Sequence, residues 1–203
     1  MAKSMWPVKI GIAVLVAVLP FITKAAFADS IEDKAQICAG CHGENGIPQE
    51  KTTPIIWGQN EGYLYIELRD FKSGARKNDI MSGIAADLSK DDMKALAKHF
   101  AGLTWPNIQQ PSPPKDVANK ALTVIGSIGC TSCHLEQFQG DGSTARLAGQ
   151  QHDYLVKTMT DFRDRSRANN PGMSDLMNAA QPADLDPIAQ YLASLTVMGG
   201  NGQ

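Results

Sequence analysis

Apolar residues recur along this chain at helical spacing, and the pattern occurs twice. Leu64, Leu68 and Phe71 stand at i, i+4 and i+7, the spacing of a helix that buries one face. Four stretches share this period, and they pair at separations of 91 or 92 residues: 64–71, 93–100, 155–162 and 185–192. No stretch alternates with a period of two for long enough to indicate a sheet. The pattern predicts an all-α fold with two similar halves.

The N-terminal residues follow a different pattern. Two lysines precede an apolar run from Ile10 to Ile22, and residues 26–28 (Ala-Phe-Ala) have the small-x-small form of a cleavage site. A helix that crosses a bilayer needs about 20 residues, and this run is shorter. We therefore expect residues 1–28 to be a cleaved signal peptide, with an uncleaved membrane anchor as the alternative.

Composition and charge exclude several function classes. The chain has 203 residues, 43% of them hydrophobic, which is enough apolar material for a core. Without residues 1–28, 16 basic residues stand against 21 acidic ones, and the acidic residues are spread along the chain. Nucleic acids and anionic membranes attract basic surfaces, so neither is an expected partner of the mature protein.

All four cysteines occur in one kind of motif. They form Cys38-Ala39-Gly40-Cys41-His42 and Cys130-Thr131-Ser132-Cys133-His134, both C-x-x-C-H, the signature of c-type haem attachment. Two thiols three positions apart on one helical turn can each form a thioether to the same haem. The adjacent histidine then points its imidazole at the iron. A helix that leads into the motif is expected in each half.

Three other interpretations of the cysteines agree less well with the sequence. Paired C-x-x-C zinc motifs usually stand about 15–20 residues apart, whereas these are 92 apart. A thioredoxin-like pair requires a βαβ context, and no strand pattern precedes either motif. Structural disulfides occur in exported proteins, but they do not require a histidine after each second cysteine. The two motifs therefore favour two covalently bound haem c groups.

The repeat extends beyond the motifs and divides the chain. Residues 97–104 match residues 189–196, and Gly58-Gln59 matches Gly149-Gln150. Residues 105–114 include four prolines, which break helices and favour an extended linker. The predicted boundaries are 29–104 for the first domain, 105–116 for the Pro-rich linker and 117–203 for the second domain.

A methionine recurs at one position relative to both motifs. Met81 follows Cys38 by 43 residues, and Met173 follows Cys130 by the same number. A methionine thioether is a usual sixth ligand in electron-transfer haems because it raises the potential. We predict Met81 and Met173 as axial ligands, with Met177 as the alternative in the second half.

These motifs together resemble a known family. C-x-x-C-H near the start of each half, a later G-Q-x-x-x-Y-L segment and a methionine before the closing helix resemble tandem class I cytochrome c domains, as in the dihaem cytochrome c of the c-four type. The resemblance covers about residues 30–196. It implies two all-α domains with a pseudo-twofold arrangement and two haem c groups. The implied iron ligand pairs are His42 with Met81, and His134 with Met173.

The resemblance also exposes two departures between the halves. In the family, a proline carbonyl accepts the Nδ1–H of the proximal histidine, which orients the ring. Pro54 matches this proline, whereas Ala145 occupies the equivalent place in the second half. Pro187 stands in the last predicted helix where the first half has Ala95, so that helix is expected to start late or to bend.

The function that the resemblance implies is electron transfer in the periplasm. Such a protein is a carrier and not an enzyme, since the haem supplies the chemistry and no substrate bond breaks. The implied partners are a donor dehydrogenase or quinol-oxidising complex and an acceptor oxidase. The alternative is a dihaem redox subunit of a dehydrogenase or flavocytochrome complex. Catalysis at a haem would need an open sixth coordination position at the iron. The recurring methionine argues against an open position.

Overall fold

The computed structural model describes residues 30–196 together with Met1, so the predicted signal peptide lies outside the described residues. Within residues 30–196 the chain forms helices and no strand, which confirms the all-α prediction. The helices are α1 (Ile31–His42), α2 (Glu61–Ser73), α3 (Asp79–Ala86), α4 (Lys90–Ala101), α5 (Lys115–Ile128), α6 (Thr131–His134), α7 (His152–Arg163), α8 (Pro171–Ala179) and α9 (Pro182–Ser194). None of these helices is long and apolar enough to cross a membrane.

The helices form two similar halves. In the first half α2 packs against α3 and α4, and α1 packs against α4. In the second half α7 packs against α8 and α9, and α5 packs against α9. Since equivalent helices pair in the same way, the two halves share one fold.

Each half has its own core, built from the positions that the helical period predicts. Leu64, Leu96 and Phe100 are buried in the first core. Leu155, Met159 and Leu192 are among the buried residues of the larger second core. Full burial of a side chain of this size contributes about 1.5–3 kcal/mol, so these apolar faces hold each half together.

The approach to the second motif differs from the approach to the first. One helix, α1, carries the whole first motif, whereas α5 ends at Ile128 and the second motif follows on the short helix α6. Gly129 has a φ of 79°, a left-handed conformation that glycine adopts without steric cost and that ends the helix. A helix therefore leads into each motif, as the sequence predicts, and in the second half a break at Gly129 separates that helix from the motif.

The last helix differs from the prediction. It begins at Pro182, the position equivalent to the start of α4, so a late start is wrong. Pro187 lies inside the helix and has no N–H to donate to the carbonyl of Ala183. Lys120 of α5 donates to that oxygen at 2.9 Å instead. The helix continues through the proline because a neighbouring helix satisfies the carbonyl.

Residues 104–114 connect the halves without forming a helix. Gln110 binds this segment to the second half. Its Nε2 donates to the carbonyls of Gln150 and Ala193 at 2.9 and 3.1 Å. Trp105 contacts the second half as well, with the Arg146 guanidinium 4.4 Å from its ring centroid. The connecting segment therefore follows the surface of the second half. The predicted domain boundaries stay predictions.

Candidate haem sites

The first C-x-x-C-H motif occupies the last turn of α1. That helix begins with a capping box, in which the Ser30 hydroxyl accepts from the backbone N–H of Asp33 and the Asp33 carboxylate accepts from Ser30. Cys38 is partly buried and Cys41 is exposed, one turn apart. His42 is 6% exposed, so its imidazole points into the protein and not into solvent.

The second motif has a similar arrangement on α6. Cys130 is partly buried, Cys133 is exposed and His134 is 7% exposed. Burial raises the pKa of the Cys38 thiol to about 11 and also raises the pKa of Cys130. None of the four cysteines forms a disulfide.

Each histidine is oriented by one backbone carbonyl. His42 Nδ1 lies 2.8 Å from the carbonyl oxygen of Pro54, and His134 Nδ1 lies 2.8 Å from that of Ala145. Since a carbonyl only accepts, Nδ1 carries the hydrogen and Nε2 keeps a free lone pair for a metal. The second half has no proline at this place, yet its backbone supplies the same acceptor at the same distance.

The protonation state of both histidines suits metal ligation. Burial lowers the pKa of His42 and of His134 below the ordinary value, and the hydrogen bond to the carbonyl opposes part of that shift. A neutral imidazole is the form that binds a metal ion. The charged imidazolium form of His42 and His134 is therefore disfavoured, and the neutral form that can bind a metal ion is favoured.

The two recurring methionines occupy equivalent helical positions. Met81 lies in the first turn of α3, where the side chain of Asn78 accepts its N–H at 2.9 Å. Met173 lies in the first turn of α8, where Asn170 accepts its N–H at 3.1 Å. Both asparagines cap their helices and stabilise the turn that carries the methionine. Met177, the alternative, is 3% exposed and belongs to the second core.

One continuous cavity contains all of these groups. It has a volume of about 830 Å³ and is lined by both motifs and by both recurring methionines. Its walls include core side chains from each half, such as Leu64 and Leu155. An apolar cavity with histidine nitrogen, thioether sulfur and two thiols on each side fits two covalently attached haems.

Two glutamines join the halves beside this cavity. The side chain of Gln59 makes two hydrogen bonds to the backbone of Arg146, at 2.7 and 3.0 Å. The side chain of Gln150 makes two to the backbone of Ile55, at 2.8 and 2.9 Å. Gly58 and Gly149, which precede them, have φ values of 66° and 73°, so the turn before each glutamine depends on glycine.

A buried ionic cluster lies across the same interface. Glu67 accepts from Arg76 of its own half and from Arg167 of the other half, each at 2.6 Å. The arginines also donate across the interface in equivalent ways, Arg76 to the hydroxyl of Tyr154 at 3.3 Å and Arg167 to that of Tyr63 at 3.2 Å. These equivalent contacts follow the pseudo-twofold relation between the halves.

Three features of these sites were not predicted from the sequence. The asparagine caps could have been found, since Asn78 and Asn170 each stand three residues before the recurring methionine. The Gly-Gln repeat was recognised, but its cross-interface contacts depend on tertiary structure. Arg76 and Arg167 recur at an offset of 91. Their partner Glu67 corresponds to Thr158 in the second half, so the repeat does not predict a symmetric ion pair.

Comparisons with known proteins identify a consistent group of relatives. A cytochrome c4 of Pseudomonas aeruginosa is 30% identical over 172 residues, which cover 80% of this chain and 85% of that protein. A thiosulfate dehydrogenase electron acceptor of Stutzerimonas stutzeri is also 30% identical over 172 residues, with 79% and 80% covered. No family model matches the chain.

The fold is similar to that of a solved relative. The crystal structure of reduced recombinant cytochrome c4 from Pseudomonas stutzeri superposes with a TM-score of 0.72 at 25% identity. The superposition covers 83% of this chain and all of the solved chain. The likeness therefore includes both halves and their arrangement.

Proposed function

The chain belongs to the cytochrome c4 family, whose members carry two covalently bound haem c groups, and on that basis we propose that it is a periplasmic carrier of electrons between redox proteins. When bound, each haem supplies a reversible one-electron couple. The chain contributes attachment, iron ligands, a largely apolar cavity and a surface for partners.

The proposed attachment and ligand residues divide evenly between the halves. In the first half Cys38 and Cys41 form the thioethers, and His42 and Met81 bind the iron. In the second half Cys130 and Cys133 form the thioethers, and His134 and Met173 bind the iron. A histidine and a methionine in each half would hold the iron, which favours electron transfer over catalysis at the iron.

The observation that carries the proposal is the shared cavity. Both motifs and both methionines line one continuous space, so these residues would hold the two cofactors next to each other between the halves. An electron that enters through one half can then pass to the other without crossing a thick protein layer. A carrier that meets donor and acceptor at different ends needs such a path.

The partners are proposed by class. Relatives named thiosulfate dehydrogenase electron acceptors support a donor that is a dehydrogenase, and a respiratory oxidase is the proposed acceptor. The same relatives favour a second candidate, in which the chain serves as the dihaem redox subunit of a dehydrogenase complex. Copurification with a larger catalytic chain distinguishes this candidate from a free carrier.

The proposed function is tested by haem content and optical spectroscopy of the exported protein. We expect two c-type haems per chain by the pyridine haemochrome assay, and a far-red methionine-to-ferric-iron band from both. The reduced protein should not bind carbon monoxide, because both sixth positions are filled. Fewer than two haems, or rapid carbon monoxide binding by the unmodified protein, would contradict the proposal.

The asparagine caps give a prediction about the methionine-bearing turns. Asn78→Ala removes the acceptor for the Met81 N–H and should destabilise α3 by about 1 kcal/mol. The far-red band of one haem should then disappear at a lower urea concentration than in the unmodified protein. Asn78→Asp keeps an acceptor at the cap and serves as the control. Equal urea sensitivity of the two variants would show that the cap does not hold the methionine in place.

A further inference from the structure

Gln59 and Gln150 are buried residues at equivalent places in the two halves. They are 3% and 2% exposed, and each reaches from its own half into the backbone of the other. In each side chain the oxygen accepts a backbone N–H and the nitrogen donates to a backbone carbonyl, so both polar atoms are used. Two such bonds fix the orientation of the amide without ambiguity.

The peptide groups that these glutamines bind also orient the proximal histidines. The carbonyl of Pro54 and the N–H of Ile55 belong to one peptide group. Its oxygen is the acceptor for His42 Nδ1 at 2.8 Å, and its N–H donates to Gln150 Oε1 at 2.8 Å. The glutamine of the second half therefore connects to the histidine of the first half through a single peptide.

The converse connection has the same form. The carbonyl of Ala145 and the N–H of Arg146 belong to one peptide group. Its oxygen is the acceptor for His134 Nδ1 at 2.8 Å, and its N–H donates to Gln59 Oε1 at 2.7 Å. Two hydrogen-bonded chains thus cross the interface in opposite directions.

Hydrogen bonds in such a chain strengthen one another. A peptide whose N–H is bonded to a good acceptor carries more negative charge on its oxygen, and each hydrogen bond strengthens the next by about 10–30% in a medium of low dielectric constant. A stronger acceptor at Nδ1 makes the imidazole a more basic metal ligand. A more basic ligand stabilises the ferric state more than the ferrous state and so lowers the potential.

We infer that Gln59 and Gln150 are positioning residues that act across the interface, each setting the reduction potential of the haem in the other half. This inference rests on the proposed ligation by His42 and His134. It makes each potential depend on the docking of the two halves.

The alternative is that the glutamines only hold the halves together. Two neighbouring residues provide matched controls, because they also cross the interface with two hydrogen bonds. Gln151 Nε2 donates to the carbonyls of Glu50 and Thr53, and Asn60 Nδ2 donates to those of Gln139 and Thr144. None of these four oxygens belongs to the peptide group that hydrogen-bonds the imidazole Nδ1 of His42 or His134.

The experiment measures both potentials by spectroelectrochemistry in the intact dihaem protein. Hyperfine-shifted proton signals of the axial ligands assign each potential to one half. Gln150→Met should shift the equilibrium of the haem held by His42 toward the reduced form about threefold, or about 28 mV at 59 mV per tenfold. The other haem should keep its potential. Gln59→Met should produce the converse shift, and Gln151→Met and Asn60→Leu should produce neither.

Gln150→Glu distinguishes the effect of the hydrogen bond on the potential from the effect of side-chain packing. It keeps an oxygen acceptor for the Ile55 N–H, so the potential of the same haem should return to the unmodified value or fall below it. If Gln150→Met does not fold, Gln59→Met carries the test in the opposite direction. Unmoved potentials, equal shifts of both haems, or a shift in Gln151→Met as large as in Gln150→Met would each overturn the inference. Failure of the proposed function is distinct, since it appears as missing haem in the unmodified protein.

Discussion

Met173→Ala is expected to leave both haems attached and to open one iron to carbon monoxide. The thioethers depend on Cys130 and Cys133, and His134 keeps its bond to the Ala145 carbonyl, so attachment and proximal ligation are unaffected. Loss of the thioether ligand removes the far-red band of one haem. The potential of that haem should fall on the order of 0.2 V, a quarter of the range of about 0.8 V that axial ligands span.

The control for this prediction is the neighbouring methionine. Met177 lies one helical turn after Met173 and is 3% exposed in the second core. Met177→Ala should cost about 2–5 kcal/mol in stability because it leaves a cavity, while the far-red bands of both haems remain. If Met177→Ala abolished a band and Met173→Ala did not, the ligand assignment in the second half would be wrong. Met81→Ala provides the equivalent test in the first half.

Glu67→Gln is expected to cause the largest loss of stability among the charged residues at the interface. Glu67 is 8% exposed and is the carboxylate that both Arg76 and Arg167 contact. Neutralisation of Glu67 leaves the buried guanidinium groups of Arg76 and Arg167 without the carboxylate that balances their charge. Loss of one partner from a buried ion pair costs about 3–5 kcal/mol, mainly because the remaining charge is uncompensated. Urea denaturation of the oxidised protein, followed by near-UV circular dichroism, measures the change.

A surface ion pair provides the comparison. Arg165 and Asp175 form a pair at 2.8 Å, but their side chains are 57% and 71% exposed. Asp175→Asn should therefore change stability by less than about 1 kcal/mol. A similar loss in both variants would show that burial does not control the effect. An unchanged stability in Glu67→Gln would show that the cluster is not held together by its charge.

The helices of the core were predictable because their physical signal is local. Leu64, Phe71 and their counterparts 91 residues later show the period of a one-sided helix, and the structure buries both sets or packs them against the cores. The start of α9 was not predictable in this way. Pro187 alone predicts a late start or a bend, and the compensating bond from Lys120 comes from a helix more than sixty residues earlier in the chain.

The sites divide in a similar way between local and tertiary signals. The four cysteines, two histidines and two methionines recur at fixed spacing, so arithmetic on the repeat is sufficient to propose them. The carbonyl of Ala145 followed from its alignment with Pro54. The contacts of Gln59 with Arg146 depend on how two separately folded halves meet, and no spacing within the sequence encodes that distance.

The equivalent contacts at the interface have a consequence for assembly. Gln59 with Arg146 and Gln150 with Ile55 are the same contact made in both directions, as in an isologous dimer of identical subunits. Joining the two halves by residues 104–114 turns this dimerisation into an intramolecular step. A short tether gives each half an effective concentration near the millimolar range around the other. An interface far too weak to hold two free subunits together would therefore still be occupied in this chain.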